Sequence, residues 1–192
     1  MNNFSIYFKI GFDHIANIGA LDHLLFMAAL TLRYQFSDWK KLLVLITAFT
    51  IGHTITLGFS VLNVIDFSKQ WIEFLIPLTI AITAFSNLFD KGKAYKSRFP
   101  IIYWVAIFFG LIHGLGFSND LKMIIGNNGL VIKLLAANLG IETAQIIFVI
   151  ILLLIQLICT HLLKTNKREY LVFVSGVILG IALYIAALRK PF

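Results

Sequence analysis

Six apolar runs, each about long enough to cross a bilayer, occupy most of this 192-residue chain. A hydrocarbon core about 30 Å thick takes roughly 20 helical residues to cross. With no water there to bond to, such a run satisfies its backbone polar groups by coiling into a helix. The runs predict helices over residues 14–32, 42–62, 71–89, 101–117, 133–163 and 170–188. Residues 1–12 carry Lys9 inside an apolar stretch and show no small-residue cleavage site, so they read as an interfacial N-terminal segment rather than a signal peptide. The expected fold is all-α: a single transmembrane domain over 1–192, built as a polytopic bundle of about six transmembrane helices. Only 13% of the residues are charged, about half the share in a soluble domain, and 59% are hydrophobic, which argues against a soluble globule.

The net charge of +7 does not indicate nucleic acid, because the cations are scattered over loops and tail rather than gathered on one soluble face. They serve better as signals of topology. With six crossings, one side holds Arg33, Lys40, Lys41, Lys91, Lys93, Lys96, Arg98, Lys164, Lys167 and Arg168. The other holds Lys9, Lys69, Lys122, Lys133, Arg189 and Lys190. Ten against six places both termini outside the cytoplasm, in a multi-pass protein of a bacterial inner (cytoplasmic) membrane. The lone Cys159 lies in an apolar run and supports neither a disulfide framework nor a thiolate metal site.

Within the predicted helices the ionisable groups are few: Asp22 and His23 in the first, His53 in the second, His113 in the fourth and Glu142 in the fifth. At about 1.5 Å per residue these fall roughly 8 to 14 Å below the outer surface, although the helices run in alternating directions. Intramembrane charges are costly and face a bundle interior with a partner. Asn138, Glu142 and Gln145 share one helical face, and Gly110, Gly114 and Gly116 surround His113, where small residues let helices approach. Imidazole and carboxylate without thiolate suit borderline divalent ions such as nickel, cobalt and zinc. The candidate metal ligands are therefore Asp22, His23, His53, His113 and Glu142, with His14 and Gln145 weaker. The alternative without an ion is that His53 and His113 hydrogen-bond to Asp22 and Glu142 and simply hold helices together.

The runs His14-Ile-Ala-Asn-Ile-Gly-Ala-Leu-Asp22-His23, Phe49-Thr-Ile-Gly-His53-Thr, Phe109-Gly-Leu-Ile-His113-Gly-Leu-Gly and Gly140-Ile-Glu142-Thr-Ala-Gln145 occur in order and resemble the HupE/UreJ family of bacterial membrane proteins. The resemblance implies a helical permease associated with nickel supply to hydrogenase or urease, with the His and Asp of the first motif needed for transport. Seven residues separate His14 from Asp22, a wider gap than the family pattern has.

Two functions compete at this stage, with a metal sensor or an accessory subunit without turnover as a third, weaker reading. One is a transmembrane transporter of a divalent transition metal, nickel first, with cobalt or zinc as alternatives. The other is a zinc-dependent intramembrane hydrolase that would use Glu142 or Asp22 as general base, although HExxH and Gly-x-Ser-x-Gly are both absent. The expected partners are membrane lipid and the metal ion; a homo-oligomer and a protein partner stay open.

Overall fold

The computed structural model describes residues 3–17, 21–89, 101–122, 124 and 129–191. Among the described residues the architecture is all-α: α1 (Asn3–Ala16), α2 (Leu21–Thr31), α3 (Trp39–Val61), α4 (Lys69–Leu88), α5 (Ile101–Lys122), α6 (Leu130–Leu157) and α7 (Lys167–Leu188). A short 3-10 turn, Phe36–Asp38, leads into α3, and a π-turn, Ile158–Leu162, closes α6 and carries Cys159 and His161. α3 to α7 are each long and apolar enough to cross a membrane. α1 and α2 pass the same test only as a pair, bent by 70°, which makes up to six spans.

That bend corrects the sequence reading of one helix over 14–32 with residues 1–12 lying apart at the interface. α1 ends at Ala16 and is followed by Asn17, a residue with poor helix propensity. Its helix is built into the bundle against α6, with Tyr7 and Ile15 buried and the Tyr7 hydroxyl donating to the Ile124 carbonyl. α5 also continues to Lys122, past the expected end at 117, and Gly129 begins α6 with φ +69°, a left-handed conformation that favours glycine. The basic run Lys91 to Arg98 and Asn127 and Asn128 lie outside the described residues.

The most extensive helix contacts are α3 with α5, α1 with α6, and α4 with α7. The first two are sealed by glycines. A Cβ on Gly52 would meet the Ile107 carbonyl oxygen at 2.1 Å, and one on Gly110 would meet that of Phe49 at 2.1 Å. The same holds for Gly11 against Ala137 and Gly140 against Phe8. Lipid tails are as apolar as leucine, so close backbone packing of this kind is what holds such helices together. It also fixes α3 and α5 in register, with His53 and His113 between them.

Two apolar clusters fill the interior. One contains Phe26, Phe49, Ile80 and Phe109; the other contains Tyr7, Ile15, Leu57 and Phe117. Between them lies the polar layer described below. The glycine seal predicts that Gly110→Ala destabilises the protein by about 1–3 kcal/mol through overpacking. Gly58 has nothing within 4 Å of an added Cβ, so Gly58→Ala should be neutral or mildly stabilising. Thermal unfolding in detergent reads the difference, and equal midpoints for the two variants would contradict the packing account.

Candidate functional site

Four histidines meet in the layer between the apolar clusters. His14 comes from the last turn of α1, His23 from the first turn of α2, His53 from α3 and His113 from α5. Ring centroids of His14 and His23 are 4.7 Å apart, those of His23 and His113 are 5.2 Å apart, and His53 lies 6.3 Å from both His14 and His23. His53 and His113 are fully buried, and His23 is 6% exposed. Phe117 stacks on His14 at 3.7 Å, while Phe26 and Phe49 each approach His113 at 5.2 Å. Aromatic rings thus wall the layer on both sides.

The imidazoles are short of partners. His14 Nε2, His23 Nε2, both nitrogens of His53 and His113 Nδ1 are buried without a hydrogen bond. An unsatisfied buried polar atom costs about 1–3 kcal/mol, and native interiors carry few of them. Thr79 of α4 contacts one ring: its hydroxyl lies 2.7 Å from the Ile76 carbonyl and 3.2 Å from His113 Nε2, which leaves His113 Nδ1 as the unpartnered nitrogen. Thr79 was not singled out from sequence, because a threonine bonding back to its own helix looks like any other.

The carboxylates lie elsewhere than the sequence suggests. Asp22 Oδ2 accepts from Arg189 Nη1 at 2.8 Å, an ion pair between the start of α2 and the end of α7; its Oδ1 is buried without a partner. Glu142 accepts from the Thr47 hydroxyl at 2.6 Å. Thr47 precedes His53 by six residues on α3, about 9 Å along the axis and roughly 120° around it. Gln145 accepts from Thr50 at 2.9 Å, and Thr54 donates to Asn138 at 2.7 Å. The polar stripe of α6 is therefore a threonine zipper onto α3. Neither His53 nor His113 is hydrogen-bonded to Asp22 or Glu142, so the purely structural pairing is not made.

The centroid spacings can be set against those of a shared ion. With metal–nitrogen bonds near 2.1 Å, two imidazoles on one ion place their centroids about 4.5 to 6.4 Å apart, depending on the angle between them. Among the described residues no group of three or more His, Cys, Asp or Glu side chains already stands in metal-holding geometry.

The fold and this layer define a polytopic helical membrane protein with a buried imidazole centre. The sequence matches the family described as HupE / UreJ protein over residues 1–189, and the chain belongs to that family. No curated protein and no solved structure matches it.

The Asp22–Arg189 pair predicts energetic coupling across the bundle. In a double-mutant cycle on unfolding stability, Asp22→Ala and Arg189→Ala should couple by about 0.5–3 kcal/mol. Strictly additive effects would show that the contact carries no weight.

Proposed function

We propose that this chain is a permease for a divalent transition-metal ion, nickel first, with cobalt and zinc as alternative cargoes, and that the imidazole layer is its binding station. The observation that carries the reading is the convergence of four histidines whose buried nitrogens lack partners. His14, His23, His53 and His113 supply the ligands, and Asp22, with one oxygen on Arg189 and the other unpartnered, is a further candidate. Glu142 and Gln145 act through the zipper, holding α6 on α3 behind His53.

The chemistry suits transport. Neutral imidazole is a good ligand for nickel, cobalt and zinc but gives no closed thiolate cage, and a carrier must bind weakly enough to release. Ligand nitrogens must be deprotonated to bind, so occupancy falls as the medium acidifies. Glu142, one of the two candidate bases of a hydrolase, is taken up by the Thr47 hydroxyl on another face of α3. The family match supports the same direction, as do the ten basic residues on one side, which orient that side to the cytoplasm of a bacterial inner membrane with both termini outside.

In a strain lacking other importers, His23→Ala and His113→Ala should each cut cellular nickel, cobalt or zinc accumulation by about ten-fold or more, the loss typical when a ligand goes. Glu142→Gln, which keeps an acceptor for Thr47, should accumulate metal normally. Unchanged accumulation in both histidine variants would rule the role out.

A further inference from the structure

α4 carries a buried polar track away from the imidazole layer. Thr79, Thr83 and Asn87 stand at intervals of four, a stripe about 80° wide and 12 Å long. All three are buried, at 4%, 7% and 1% exposure. The track starts at His113 through Thr79 and ends where α2, α4 and α7 meet at the basic end of the bundle. α7 contributes Ser175, fully buried, seven residues beyond Arg168 and so at the level of Thr79 to Thr83. Its hydroxyl has no hydrogen-bond partner, whereas Thr79 and Thr83 donate to carbonyls of their own helix.

The far end of the track is occupied by two guanidinium groups. Arg33, just after α2, donates to Asn87 Oδ1 and, at 2.9 Å, to Ser86 Oγ. Arg168, in the first turn of α7, donates to the backbone carbonyls of Asn87 and Leu88. Asn87 in turn donates to the Ala29 carbonyl at 2.8 Å, so its side chain ties α4 to α2. Hydroxyl and amide oxygens are weaker ligands than imidazole for nickel-like ions, which makes the track a descending series of sites. The side chains of Arg33 and Arg168 cap the mouth of the track, bonded to the Asn87 side chain, Ser86 and the carbonyls of Asn87 and Leu88.

We propose that Thr79, Thr83, Asn87 and Ser175 form the inward leg of the ion's route, and that Arg33 and Arg168, docked on Asn87, hold that leg shut. The proposal rests on the permease reading and adds to it the release path and its gate. Arg168 sits on α7 and Arg33 just after α2, the helices whose opposite ends Asp22 and Arg189 join, so movement of α2 and α7 against α4 opens the mouth.

The test uses the full-length protein reconstituted in vesicles, with Cys159→Ser and a reporter thiol, Thr83→Cys. A positively charged, membrane-impermeant methanethiosulfonate should label that thiol slowly while both arginines are present. Arg33→Ala or Arg168→Ala, each made singly in case one fails to fold, should speed labelling about ten-fold. Thr83→Val, which gives up only a bond within its own helix, should lower metal flux by roughly five-fold with unchanged affinity in detergent. Fast labelling with both arginines intact, no acceleration in either alanine variant, or wild-type flux in Thr83→Val would each overturn the proposal. Labelling needs no metal, so it fails or succeeds separately from the permease reading, which falls instead if wild-type vesicles take up no metal.

Discussion

Inside a lipid-embedded bundle a polar atom that loses water can bond only to protein or to a ligand, and this constraint organises the whole molecule. Most buried polar groups here answer it locally. Threonine hydroxyls turn back to their own helices, as at Thr31, Thr56 and Thr83, or reach across to α6 at Thr50 and Thr54. The imidazole layer does not. The glycine contacts bring α3 onto α5 and α1 onto α6 closely enough to put four rings side by side, and those rings are left without mutual hydrogen bonds.

The division of labour among polar residues follows from the same constraint. The carboxylates of Asp22 and Glu142 each have a partner: Arg189 for Asp22, Thr47 for Glu142. Histidine can be neutral, so it can wait unpaired at a smaller cost. Imidazoles thus form the centre, while Glu142, Gln145 and Asn138 tie α6 to α3 and Asp22 ties α2 to α7. At the basic end a third polar knot, around Asn87, joins α2, α4 and α7.

Much of this was legible in the sequence, and the limits have physical causes. Apolar runs of spanning length revealed the helical membrane fold, because composition alone decides whether a helix prefers lipid. Depth along a helix could be counted, so His23, His53 and His113 could be placed in one layer. Azimuth could not: Glu142 has the right depth, yet it reaches Thr47 on another face of α3. The bend between α1 and α2 falls in an apolar stretch with no proline, so periodicity runs through it, and His14 stood apart on paper although its ring touches that of His23. Arg189, at the far end of the chain, gave no local sign of pairing with Asp22.

The claim on which the rest turns is that the imidazole layer binds a divalent metal ion. Elemental analysis and titration of the purified protein in detergent with nickel, cobalt and zinc, comparing wild type with His53→Ala and His113→Ala, addresses it directly. The account predicts saturable binding of one of these ions by the wild type and its loss in both variants. No binding by the folded wild type would contradict it, leaving the four histidines a packing layer between two apolar clusters.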